Sequence, residues 1–307
     1  VNCRRIVALL PWLLALGCAT PHPAWRPDLM ASSSASRRNG DDLVVFFALP
    51  GREQSDRMER ECLPAPEVQA ALVRHAFVST RVDGFEQQRM YAEWVGGGEG
   101  MGLCVLDAEG RPYAARPGPL DAPEVAALLD LCGTQRTRVL DLRRRHAASP
   151  LDSGVCHELG CVLLELGCRV GAEPLLMQAA QGGELDAHHR LARLHALDGH
   201  IVRARQWLRT ALPSPAADVT LGYVLFKERR YLEAAQTLVG PARDATLGDD
   251  ALRARLYLGK SLHESGDDVS ARDILTRLSH DAKGTTFGAA ADHSLSHLDK
   301  KDHGHTH

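Results

Sequence analysis

The chain has 307 residues, with 36 Lys and Arg against 39 Asp and Glu and a formal net charge of −3. That balance provides no large basic surface, so nucleic acid is not expected as a partner. With 44% hydrophobic and 24% charged residues, the composition is that of an ordinary globular protein, and the length suits two folded domains better than one.

The first residues read as an export signal. Arg4 and Arg5 precede an apolar stretch from Ile6 to Leu16, interrupted by Pro11. About eleven residues fall short of the ~20 that a helix needs to cross a bilayer. The run Leu14-Ala15-Leu16-Gly17-Cys18 resembles a bacterial lipoprotein lipobox, with Leu16 where a smaller residue is commoner. The resemblance implies that residues 1–17 are a cleaved signal peptide and that Cys18 carries a lipid. It also implies a lipid-anchored protein of the bacterial cell envelope. Ala19, rather than Asp, points to the outer membrane, facing the periplasm. Residues 18–41 contain Pro, Ser and Arg without periodicity and are expected to form a tether.

From residue 42 strand and helix signals alternate. Leu43 to Leu49 is a buried strand by pattern, Arg52 to Cys62 a polar helix, and Glu67 to His75 a second helix. Strands follow at Phe77 to Val82, Gly102 to Leu106 and Pro112 to Ala115, with a tight turn at Asp107 to Gly110. Asp121 is placed as the N-cap of a helix running to about Cys132, with Pro123 in its first turn. The strand "VVFFA", the helix within "RMERECLPAPEVQAAL", the strand "FVSTRVD" and the hairpin "LCVLDAEGRPY" together resemble the thioredoxin-like fold, over residues 42–132. The family's CxxC places fall on Arg52 and Ser55, and its cis-proline falls near Met101. Thiol–disulfide exchange needs an attacking thiolate and a resolving thiol, and Arg and Ser supply neither. Cys62, near a helix C-terminus, and Cys104, inside a strand, are poor substitutes. The glycines at 96, 97, 98, 100 and 102 lead into a strand rather than a helix and lack the helix N-terminus of a phosphate site.

Residues 133–152 read as a connecting helix. Beyond them one spacing recurs four times. Leu159-Gly160, Leu191-Ala192, Leu221-Gly222 and Leu258-Gly259 are each followed twelve residues later by Ala172, Ala204, Ala234 and Ala271. Four residues further on stand Leu176, Leu208, Leu238 and Leu275. The intervals of 32, 30 and 37 residues bracket the period of tetratricopeptide repeats. Residues 153–282 thus resemble four such repeats, with a leaning to the Sel1-like variety in the second. The resemblance implies stacked helix pairs forming an all-α solenoid. Gly167, Gly199 and Gly266 mark three of the turns; the third repeat has Arg229-Arg230-Tyr231 there. In that family the first helices line a partner-binding groove. Carried onto this chain, the groove positions include His157, His189, Arg193, Tyr223, Phe226, Lys260 and His263, with Cys161, Leu164, Ala196, Val219 and Leu256 among the others.

Residues 283–307 are expected to form a capping helix and a His-rich tail. Asp292, His293 and His297 lie close on that helix, and His303, His305 and His307 follow, without an obvious four-ligand metal site. The body holds Cys62, Cys104, Cys132, Cys156, Cys161 and Cys168, so an exported chain has up to three disulfides in fifteen pairings. Cys161 and Cys168 cannot pair if one helix carries both, being about 10 Å apart along its axis. These readings converge on a membrane-anchored, non-enzymatic scaffold or assembly factor that binds envelope proteins through its repeats, without a cofactor. The alternatives are a divergent thiol–disulfide oxidoreductase or redox chaperone, and a metal carrier using the His-rich tail.

Overall fold

A computed structural model describes the backbone of residues 25–303 and the side chains of residues 25–298. The expected signal peptide, Cys18, His305 and His307 lie outside the described residues, as does the side chain of His303. The N-terminal part contains a mixed four-stranded sheet with helices, and the rest is helical. The chain divides into two compact units. One comprises the residues up to 91 with 98–111 and 117–133, and the other comprises 92–97, 112–116 and everything from 134 onward.

The first unit begins where a tether was expected. Residues Leu29–Asn39 form helix α1, capped by Asp28, whose carboxylate accepts from the Ala31 N–H at 2.9 Å, and closed by Gly40 at φ +73°. Arg26 joins the sheet edge beside Thr80, and the Arg81 N–H donates to its carbonyl at 2.9 Å. The helix sequence "LMASSSASRRN" has no apolar stripe. Its inner face is made of Ser32 and Ser36, small enough to pack closely and fully buried. The tether reading therefore does not hold for residues 25–41.

Strand β1 (Leu43–Ala48) is buried along its whole length, as its unbroken apolar sequence requires. It pairs in parallel with β2 (Val78–Asp83) and antiparallel with β3 (Gly102–Leu106); β4 (Pro112–Pro117) completes the order β2-β1-β3-β4. Between β1 and β2 run α2 (Glu53–Arg57), a π-helical turn at Met58–Cys62, and α3 (Pro66–Arg74). Helix α4 (Gln88–Trp94), which no pattern announced, places Tyr91 edge-on to Phe47, their rings 5.3 Å apart. Asp121 and Glu124 form a reciprocal cap, each side chain taking the other's backbone N–H at 2.9 Å. From this cap α5 (Ala122–Ala148) continues unbroken, so the expected break near residue 133 between two helices is absent.

In the second unit β4 residues pair with a helical turn. Ala114 bridges to Gly167, and the Arg116 guanidinium donates to the Leu166 carbonyl at 2.9 Å. Four helical hairpins follow: α6 (Ser153–Glu165) with α7 (Arg169–Gln181), α8 (Asp186–Leu197) with α9 (Ile201–Leu208), α10 (Pro215–Lys227) with α11 (Tyr231–Arg243), and α12 (Asp249–Glu264) with α13 (Asp268–Asp281). The recurrent spacing has a direct cause. A Cβ on Gly160 would lie 2.8 Å from the Leu176 side chain, and one on Gly259 would lie 2.7 Å from Leu275; at Gly222 it would crowd Leu238 similarly. Ala172, Ala204, Ala234 and Ala271 are fully buried. The long third interval holds a 3-10 turn at Ala245–Leu247 and leads into a first helix of 16 residues. Helix α14 (Thr286–His303) lies in the segment expected to hold a capping helix and packs Ala291 and Leu298 into the last core cluster. Among the described residues no helix is long and apolar enough to cross a membrane.

At the third hairpin turn, where the others have glycine, Arg229 adopts φ +61°, a conformation that L side chains enter at a cost of about 1–2 kcal/mol. Arg229→Gly is expected to stabilise the chain by up to about 1 kcal/mol in urea denaturation. Gly222→Ala is expected to destabilise it by about 1–3 kcal/mol through overpacking. Gly240→Ala, at an open helix position, is the control that should not destabilise.

Candidate functional site

The first helices α6, α8, α10 and α12 carry the seven groove residues expected from the register. Most of them contact groups inside the repeats. His157 on α6 faces Asp186 at the start of α8, with Nε2 3.0 Å from Oδ2, and lies 3.3 Å from the Cys161 sulfur. His189 is buried, its Nδ1 2.9 Å from Asp186 Oδ1. Burial pushes the His189 imidazole down to about 4, against the pull of Asp186, so it is neutral at physiological pH. Burial pushes the Cys161 thiol up to about 11.

Arg193 on α8 reaches Asp250 on α12 at 2.9 Å, and Arg253 shares the same carboxylate at 2.8 Å. Desolvation and the neighbouring Arg253 lower Arg193 to about 10, which still leaves it charged. His263 faces Asp268 at 2.6 Å. The side chains of His157, Arg193 and His263 thus have carboxylates beside them within the chain, and Val219 and Leu256 are core residues. The register named neither Asp186 nor Asp250. Asp186 is the second position of the repeat in which His189 is the fifth, so the same register contains it. Asp250 precedes its repeat's numbered positions and carried no signal.

The aromatic part of the face is different. Tyr223 and Tyr257 meet edge-on at 4.7 Å, and Phe226 packs 5.4 Å from Tyr257; all three are half-buried. Burial, followed by Tyr223, raises the Tyr257 hydroxyl to about 12. Lys227 sits 5.5 Å from the Tyr223 ring centre and Lys260 sits 5.7 Å from that of Tyr257. Among the described residues neither lysine pairs with a carboxylate. Burial, with Lys227 nearby, lowers the Lys260 ammonium from its ordinary value. The register also missed a separate groove of about 980 Å³ between α11 and α13, edged by exposed Leu232, Val239 and Val269.

In the first unit Arg52 precedes α2 and Ser55 lies in its first turn, fully buried, its hydroxyl accepting from the Leu49 N–H at 2.8 Å. Cys62 ends the π-helical turn; burial and then Asp121, Glu67 and Glu124 push its thiol up to about 12. Cys104 and Cys132 are fully buried. Cys156 and Cys168 carry thiols raised by burial, and neither they, Cys62 nor Cys161 is in a disulfide. Cys161 lies in α6 and Cys168 beyond its end. On α14, His293 and His297 have ring nitrogens 3.1 Å apart, but Asp292 is engaged by the Ser279 hydroxyl at 2.5 Å. No protein-family model matches the sequence, and no curated protein matches it significantly.

His195 is also buried and held below its ordinary value of 6.5, chiefly by desolvation. A depressed histidine contributes stability that is full above 6.5 and is lost as pH falls through its folded value. Urea midpoints of the chain are expected to drop as pH is lowered below about 6.5, and His195→Gln to flatten part of that drop. An unchanged slope in the variant would show that His195 is not held neutral.

Proposed function

We propose that this chain is a non-enzymatic scaffold whose helical repeats hold a partner protein segment combining acidic and apolar residues. The docking point is the face around Tyr223, Tyr257 and Lys260. One observation carries this reading: Lys227 and Lys260 are held over tyrosine rings without a carboxylate, and Lys260 is partly desolvated. Two ammonium groups so placed repel each other and gain from an arriving carboxylate, while the half-buried rings offer apolar area beside it. Elsewhere on the same face the chain's own carboxylates already meet the cations, which narrows the docking point to the third and fourth hairpins.

The family readings support this assignment. The strand order β2-β1-β3-β4, with β1 parallel to β2 and antiparallel to β3, agrees with a thioredoxin-like domain. Four hairpins, three of them with a glycine facing a Leu, agree with tetratricopeptide or Sel1-like repeats. A thiol pushed up to about 12 by burial and neighbouring carboxylates, as at Cys62, holds its proton at neutral pH, which disfavours the oxidoreductase reading. We further propose that Cys18 bears the lipid that places the repeats at the bacterial outer membrane, facing the periplasm.

Affinity capture from solubilised envelope tests the scaffold reading. Lys260→Met is expected to raise the urea midpoint while abolishing salt-sensitive capture of a partner that the unaltered chain retains. Tyr223→Ala is expected to weaken the same capture. A partner held equally well by both variants would remove this face from the function. Fatty-acid labelling tests the anchor: label is expected on the unaltered protein and not on Cys18→Ser, and label persisting in that variant would overturn the assignment.

A further inference from the structure

We infer that His157, Cys161 and Asp186 form a binding site for a divalent transition-metal ion, zinc by preference, that clamps the first two hairpins together. The site is independent of the aromatic face and of the His-rich tail. His157 and Cys161 are four residues apart on α6, which puts both on one helix face. Asp186 approaches from the first turn of α8. One ligand atom from each lies within 4.8 Å of the other two, with His157 Nε2 3.0 Å from the carboxylate and 3.3 Å from the sulfur. Ligands about 2.0–2.3 Å from a tetrahedral zinc stand roughly 3.3–3.6 Å from one another, so only small rotamer adjustments are needed.

The surroundings favour ligation. His189 holds the second oxygen of Asp186 at 2.9 Å, orienting the carboxylate toward α6 as outer partners of metal ligands do. A mixed nitrogen, sulfur and oxygen set suits zinc and its spectroscopic substitute cobalt, and is too soft for magnesium or calcium. The three ligands are half-buried or exposed, so an ion has access, and water completes the fourth position. Arg190 is the opposing charge: its Nε lies 3.5 Å from Asp186 Oδ2 without forming a hydrogen bond, and its side chain, 25% exposed, has solvent to turn into. Binding replaces the Cys161 S–H bond with a sulfur–metal bond, and the proton passes to solvent. No redox partner is required.

Cobalt(II) titration of the full chain tests this. A thiolate-to-cobalt charge-transfer band in the near ultraviolet, strong tetrahedral d–d bands, and release of one proton per ion bound are expected. Histidines of the tail give no thiolate band, so they are distinguished in the same spectrum. Cys161→Ser is expected to abolish the near-ultraviolet band, and Cys168→Ser to leave it unchanged. His157→Ala and Asp186→Asn are each expected to weaken cobalt binding by on the order of 100-fold or more, and His189→Ala by about 10–100-fold. Circular dichroism of each variant separates loss of ligation from loss of fold. A saturated protein without the near-ultraviolet band, or a band that survives in a folded Cys161→Ser, would overturn the site.

Discussion

The repeat unit depends on one steric constraint: in three of the four hairpins the first helix offers no side chain where the second presents a leucine. Gly160 faces Leu176, Gly222 faces Leu238, and Gly259 faces Leu275. A leucine seated against bare backbone brings the two helix axes close and buries its whole side chain, a transfer of about 1.5–3 kcal/mol for each. The neighbouring alanines are buried for the same reason, since a larger residue would force the helices apart. The constraint sets the pairing within each hairpin and thereby which positions of the first helices remain for other work.

What those positions do differs along the stack. At the first two hairpins, histidines and a thiol gather round Asp186; across α8 and α12, two arginines share Asp250. These groups hold the repeats together through charge and hydrogen bonding instead of presenting charge outward. In the third and fourth hairpins, tyrosines and two lysines without a carboxylate stand beside the ion pairs, and this is the positive charge that the proposed partner segment would meet. On the proposed reading, one surface has a structural end and a recognition end. The architecture alone would not separate them, because a solenoid localises a surface without specifying its ligand.

The first unit has the strand order of the proposed thioredoxin-like reading, with a serine at the start of its first sheet-linking helix. Ser55 occupies the helix start as a buried hydrogen-bond acceptor for the Leu49 N–H, a structural task that a thiol would perform less well. Cys62 lies beyond the far end of that helix among acidic side chains, where both desolvation and the carboxylates oppose a thiolate. The π-helical turn that carries it shifts the helix register just there.

Periodicity determined much of this protein from the sequence alone. The spacing of small residues and leucines, the alternating strand signals and the Asp121 cap are local patterns, and local patterns survive without knowledge of the fold. Helix α1 escaped because its buried face is made of serines, which leave no apolar period to detect. The continuity of α5 through Gly133 escaped because a glycine in a helix is tolerated when neighbouring packing supports it. The register placed His157, His189 and Arg193 on one face, but only the tertiary structure decided that Asp186 and Asp250 would meet them. Ion pairing joins residues 29 and 57 positions apart in the chain, and no one-dimensional pattern records it. Sequence set which helices face each other; tertiary packing set which charges on that face were already satisfied.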